Sequence, residues 1–189
     1  KLPESSYYNT LYRGSWNANT IISMAIGQGE LLLTPIQMAN MTSIIANRGY
    51  YYTPHIIKKI KGVEIDSNFT LKKYCSIEGK YFEPIINGMQ KVIDGKKGTA
   101  TNSKLNDIII CGKTGTAENP HGEDHSIFIA FAPKDNPKIA IAVYVENGGW
   151  GSTWAAPIAS LMIEKYLTKN ITNKLQEKFI INGNLLSER

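Results

Sequence analysis

At 189 residues, with 42% hydrophobic and 20% charged side chains, the chain has the make-up of one folded domain with a sizeable core, not of a disordered or fibrous segment. Its net charge of +5 comes from 21 basic and 16 acidic residues. The basic ones are scattered in pairs such as Lys58-Lys59, Lys72-Lys73 and Lys96-Lys97, with no basic stripe or interleaved aromatics, so nucleic acid is not an expected partner.

The chain opens on Lys1 in a polar, turn-like Leu2-Pro3-Glu4-Ser5-Ser6, without a signal peptide, and reads as part of something longer. Residues up to about 30 look irregular, aromatic and polar, and end in Ala25-Ile26-Gly27-Gln28-Gly29, where Gln28 is read as shaping a turn more than lining a site. Thr34, Pro35 and Gln37 then make a strong helix start: a cap, a proline at the first helical position and a capping-box partner. This helix should run to about Asn47 and stop at Gly49. Its residues Ile36, Met38, Ala39, Met41, Ile44 and Ile45 cover more than one face, which predicts a well-buried helix.

Tyr50 to Pro54 reads as extended, and Lys58 to Lys80 as an exposed excursion or hairpin. A second helix is expected from Pro84 to about Asp94, with Ile85, Ile86, Met89, Val92 and Ile93 at helical spacing, broken by Gly95 and Gly98. Three strands follow: Asp107 to Ala117, Ser126 to Ala132 and Lys138 to Glu146. The turn Pro133-Lys134-Asp135-Asn136-Pro137 makes the last two antiparallel. Ser152 or Thr153 should cap a last helix to about Leu167, and 169–189 reads as a polar tail, helical in part through Leu175 and Phe179. Helices followed by an antiparallel meander closed by a helix make an α+β arrangement.

Chemistry concentrates in Gly112-Lys113-Thr114-Gly115-Thr116-Ala117, directly after the apolar run Ile108-Ile109-Ile110, which reads as a buried strand. A strand edge carrying an amine, two hydroxyls and a glycine suits gripping a carboxylate and passing protons to a serine. K-T-G stands among the motifs of β-lactamases and penicillin-binding proteins, beside a nucleophilic serine in S-x-x-K. No serine of this chain has a lysine three positions on. Ser15-Trp16-Asn17 fits S-x-N literally but lies in polar, unpatterned sequence and is read as coincidence. His121 and His125 form H-x-x-x-H across Pro120 and Gly122, a loop spacing that does not align them, so no metal is expected. Cys75 and Cys111 match no zinc or CxxC spacing, and Cys111 is expected to be a buried free thiol. Trp150 between glycines suits either a partner contact or a loop anchor.

In order, Ala25-Ile26-Gly27-Gln28-Gly29, Leu33-Thr34-Pro35-Ile36-Gln37-Met38, Lys113-Thr114-Gly115-Thr116-Ala117, Phe128-Ile129-Ala130-Phe131-Ala132-Pro133 and Glu146-Asn147-Gly148-Gly149 resemble the class B penicillin-binding proteins. Within that family the elongation type is the better match and the division type the alternative. The resemblance spans about Trp16 to Leu167 and implies the penicillin-binding protein/serine β-lactamase-like fold, an antiparallel sheet flanked by helices. It also implies that the nucleophile and S-x-N motifs lie upstream. Residues 1–168 would then be the C-terminal portion of a transpeptidase domain that keeps three strands of its sheet, with its last strand left without a neighbour. Such an apolar edge invites self-association.

The implied reaction is the cross-linking of peptidoglycan stem peptides through a serine acyl-enzyme, with β-lactams stalling at the ester. Lys113 would supply charge and relay protons; Thr114, Gly115 and Thr116 would hold the substrate; the Thr116 N–H would form half of an oxyanion hole. No cofactor or metal is implied. A membrane glycosyltransferase of the SEDS type would be the partner of a membrane-anchored full-length protein whose domain faces the extracytoplasmic side. The competing reading is a penicillin-binding fold without catalysis, serving as receptor or scaffold.

Overall fold

The computed structural model describes residues 3–185 and divides into two compact units, 1–34 and 35–189. The first unit is more ordered than its composition suggests, with helices α1 (Ser5–Leu11) and α2 (Ala18–Ala25). Tyr8 is its buried centre, with Tyr12 and Trp16 against its ring. Asn17, the apparent S-x-N asparagine, is the N-cap of α2: its side chain accepts the Asn19 N–H, and Thr20 completes the box. At the other end Gln28 N–H bonds Ser23 C=O and Gly27 takes φ +81°, a left-handed helix stop that favours glycine. Gln28 therefore belongs to a turn, as expected.

The second unit begins with α3 (Pro35–Ala46), which starts at the expected proline. Arg48, not Gly49 alone, carries the left-handed stop at φ +57°, and Gly49 N–H closes onto Ile44 C=O. The expected burial is not found: only Thr42 and Ala46 are buried, while Ile36 stays 59% exposed. The two-residue strands β1 (Tyr50–Tyr51) and β2 (Lys73–Tyr74) pair antiparallel around an excursion that holds the short α4 (Ser67–Thr70), so of the two readings of Lys58 to Lys80 the excursion holds, and its strand partner lies outside it at Tyr50–Tyr51. Helix α5 (Phe82–Asp94) starts two residues early and buries Phe82, Ile86, Met89 and Ile93 on one face.

The sheet is β3 (Cys111–Ala117), β4 (His125–Ala132) and β5 (Ile139–Val145), antiparallel in the order β3-β4-β5. This is the three-stranded α+β arrangement expected. The Ile108-Ile109-Ile110 run is not part of the strand, however. Only Ile110 of the three is buried, Ile109 faces out, and the ladder begins at Cys111 opposite Phe131. Side chains alternate across the sheet. On one face Phe128, Ala130 and Ile141 meet Ala155, Ala156, Ala159 and Ile163 of α6 (Ala155–Thr168). On the other, Cys111 and Phe131 meet Ala46 of α3 and Phe82, Ile86 and Met89 of α5. The sheet is thus the middle of three layers.

Neither Ser152 nor Thr153 caps α6; its N-cap position is Trp154, which makes no side-chain cap. The cap comes from β4 instead. Buried Ser126 Oγ accepts the Ala155 N–H at 3.1 Å and donates to Trp150 C=O at 2.9 Å. The segment after α6 forms α7 (Lys174–Asn182), whose Phe179 stacks on Trp154 at 5.1 Å while Gln176 Nε2 donates to Asn102 C=O at 2.9 Å. Glu164, buried on α6, holds the connection by accepting from the Thr172 N–H at 3.1 Å and from its hydroxyl at 2.5 Å. The last residues of the expected tail, 186–189, lie outside the described residues. Among the described residues no helix is long and apolar enough to cross a membrane.

Two outcomes follow from the core around β3. A methyl group on Gly112 would lie 2.3 Å from Phe128 Cζ, so Gly112→Ala must displace that ring and should cost about 1–3 kcal/mol in urea unfolding. Burial pushes the Cys111 thiol from 9.0 up to about 12. The unfolded chain therefore releases this proton first, and stability should fall above about pH 9 by roughly 1.4 kcal/mol per pH unit until the folded value is reached. Cys111→Ala should flatten that alkaline limb in unfolding curves taken between pH 8 and 11; an unchanged slope would contradict it.

Candidate active site

Strand β3 is an edge: β4 pairs with it on one side, and among the described residues nothing pairs on the other. The open edge leaves backbone N–H and C=O groups turned outward, the arrangement to which an extended peptide adds as another strand. Along this edge the two-residue period sorts the motif onto two faces. Lys113 and Gly115 share the face of Cys111, while Thr114 and Thr116 share that of Gly112, towards the α6 layer.

Lys113 is exposed, and its ammonium donates to the C=O of Thr114 at 2.7 Å. Among the described residues no carboxylate pairs with it, so its charge is available to an anion. Thr114 Oγ1 stands 2.9 Å from Thr99 Oγ1, a hydroxyl on the loop that leaves α5. Thr116 is half-buried two residues on. Gly115 carries no side chain over the strand, and a methyl there would come 3.3 Å from Ile127 Cβ.

Behind the motif the segment 147–154 crosses the sheet at backbone contact. A Cβ on Gly151 would fall 2.5 Å from Gly115 C=O oxygen and 2.4 Å from that of Ile127, so only glycine permits this approach. The crossing is tied at both ends. Asn102 Nδ2 donates to Ser152 C=O at 3.0 Å. Asn119 Nδ2 donates to Asn147 Oδ1 at 2.8 Å, and Gly149 N–H to Asp124 C=O at 2.7 Å. The edge strand is therefore backed by a braced loop, which holds it in place without a second strand.

Lys113, Thr114, Gly115 and Thr116 come together on one strand edge. The two histidines do not form a pair. His125 Nδ1 accepts the Asn147 N–H at 3.0 Å and its ring leans on Tyr144, while His121 lies in the exposed turn. No group of three or more His, Cys, Asp or Glu among the described residues could hold a metal. Trp150 is 73% exposed and anchors through its backbone only; the indole that packs is Trp154. Sequence reasoning missed Thr99, Gly151 and Ser126. The glycines at 95 and 98 mark a tight loop around Thr99, but no local pattern pairs that loop with a strand residue fifteen positions on.

The penicillin binding protein transpeptidase domain model matches residues 4–164. The chain is 32% identical to the peptidoglycan D,D-transpeptidase MrdA of Haemophilus influenzae over 90% of its own length, and spans 29% of that relative. It superimposes on the crystal structure of Pseudomonas aeruginosa PBP2 in complex with WCK 5153 with a TM-score of 0.76 and 33% identity, covering 91% of this chain and 38% of that one. Penicillin-binding protein A of Mycobacterium tuberculosis, solved as an imipenem acyl-enzyme, gives 0.64 and 30%, covering 77% and 33%. With that match across most of its length and the Lys-Thr-Gly strand at an open sheet edge, the chain belongs to the penicillin-binding protein transpeptidase domain family.

Proposed function

We propose that these residues form one wall of a peptidoglycan D,D-transpeptidase site, the β3 wall that holds the substrate, and that the attacking serine is carried by residues other than these 189. The observation that carries the reading is the edge of β3, which among the described residues has no strand beside it and no carboxylate on Lys113, and which carries the hydroxyls of Thr114 and Thr116 on a braced strand. The absence of S-x-x-K and the 29% span of a D,D-transpeptidase relative support the second half.

In this mechanism the stem peptide lies along β3 as an added strand, its terminal carboxylate drawn to Lys113 and hydrogen-bonded by Thr114 and Thr116. The serine oxygen attacks the carbonyl of the penultimate D-alanine. Its proton passes to the leaving amine as the C–N bond breaks, and terminal D-alanine departs. An amine of a neighbouring stem then attacks the ester, the C–O bond breaks, and a proton returns to the serine. Lys113 lowers the cost of these proton transfers by placing positive charge beside the hydroxyls of the relay. The Thr116 N–H points at the developing oxyanion, a contribution of about 3 kcal/mol. Gly115 leaves room for the substrate backbone to lie flat. A β-lactam enters by the same steps but keeps its leaving amine tethered, so the ester persists.

The elongation type is favoured within the family by the MrdA and PBP2 matches. In the full-length protein this reading places the domain outside a membrane anchor beside a SEDS-type glycosyltransferase, with residues 1–168 as the transpeptidase part and 169–189 appended to it. The open side of β5 is where self-association would occur if no other strand covers it.

Fluorescent penicillin tests the assignment on the protein that joins these residues to an S-x-x-K serine. That protein should be labelled covalently, and Lys113→Ala should slow labelling by about 100-fold or more. The 189 residues alone should remain unlabelled. Stable labelling of the 189 residues would contradict the missing nucleophile, and no labelling in the presence of that serine would favour a non-catalytic module.

A further inference from the structure

We infer that Thr99 is a positioning residue for the carboxylate grip: its hydroxyl orders the proton of Thr114 so that Thr114 donates outward to the substrate. The inference rests on the transpeptidase reading above. Its observation is the 2.9 Å contact between the two Oγ1 atoms, in which either oxygen can be the donor when no substrate is bound.

Thr99 is exposed, yet the chain on both sides of it is locked. Gly98 N–H bonds Gly95 C=O at 2.8 Å, and Ala100 N–H bonds Val92 C=O at 3.0 Å. Ala100 is wholly buried, and a Cβ on Gly98 would collide with Val92 C=O oxygen at 2.4 Å. The Thr99 side chain therefore leaves a backbone that cannot drift. Its partner sits on a strand held by the Gly151 crossing, so the distance between the hydroxyls is set from both sides.

The direction of the link follows from proton counting. A hydroxyl has one proton and two acceptor sites, whereas an ionised carboxylate only accepts. Once Thr114 gives its proton to the carboxylate, the bond between the threonines can be made only by the Thr99 proton. The result is a single ordered chain, Thr99 O–H to Thr114 Oγ1, then Thr114 O–H to carboxylate. Each bond polarises the next, and Thr114 is spent on the substrate while its own oxygen still accepts from Thr99. Thr99 never touches the substrate in this arrangement. It acts through Thr114 and senses only whether the ligand carries a carboxylate.

That dependence supplies the test. On the protein joined to its S-x-x-K serine, acylation rate constants are measured for benzylpenicillin and for its methyl ester. Thr99→Val keeps the shape of the side chain and removes the hydroxyl. It should lower the acid-to-ester rate ratio by about five-fold, the scale of one hydrogen bond, and Thr99→Ser should restore the ratio. In a Thr114→Val background Thr99→Val should lower the ratio no further. A loss of folded protein scales both rates alike and leaves the ratio intact. An unchanged ratio, or equal losses in both backgrounds, would overturn the role of Thr99 while leaving the transpeptidase reading in place. Failure of the unsubstituted protein to be acylated would overturn that reading and this inference with it.

Discussion

Everything at the β3 edge depends on how closely other parts of the chain approach it from behind. Gly112 makes room for the Phe128 ring, and Gly151 lets the 147–154 segment lie backbone to backbone on Gly115 and Ile127. An edge strand has ladder bonds on one side only, which alone would leave it the most easily deformed strand of a sheet. Here the missing restraint is replaced by packing at distances that admit no Cβ. Among the described residues the edge therefore has no strand beside it and is still fixed in position, the two properties that the proposed substrate-holding strand needs together.

The same economy shapes the joint between sheet and helix. Ser126, fully buried on β4, satisfies the first N–H of α6 and donates to the loop that delivers it. A helix end buried without such a partner would carry an orphaned donor. Because the partner lies on the central strand, the start of α6, the 147–154 crossing and the sheet are held in one register. α7 extends the brace: its stacking of Phe179 on Trp154 and the Gln176 bond to Asn102 fall beyond residue 164, where the family match ends.

The elements with strong local signals were readable from sequence. Pro35 marked the start of α3, the short apolar runs of β4 and β5 marked two strands, and the proline-flanked turn made them antiparallel. The misreadings have physical causes. Ile108-Ile109-Ile110 has the composition of a strand, but β4 ends at Ala132 and Ile109 C=O is met by the Lys134 N–H of the turn at 3.1 Å, so the ladder begins at Cys111. The apolar residues of α3 promised burial that the described packing does not supply, since periodicity states what a face prefers and not what is present to cover it. Ser152 and Thr153 have the residue type and position of caps, but the first N–H of α6 is met by Ser126, 29 residues back on β4.

By itself the sequence determined the order of motifs, and with it the family, because K-T-G and its flanking segments are local patterns recorded in residue types and spacing. It also determined that no S-x-x-K serine is present. Only the tertiary structure decided that the Lys113 strand is an open edge, that Gly151 presses on Gly115, and that Thr99 meets Thr114. Those are relations between residues far apart along the chain. They arise when layers pack and backbones touch, and no window of neighbouring residues contains them.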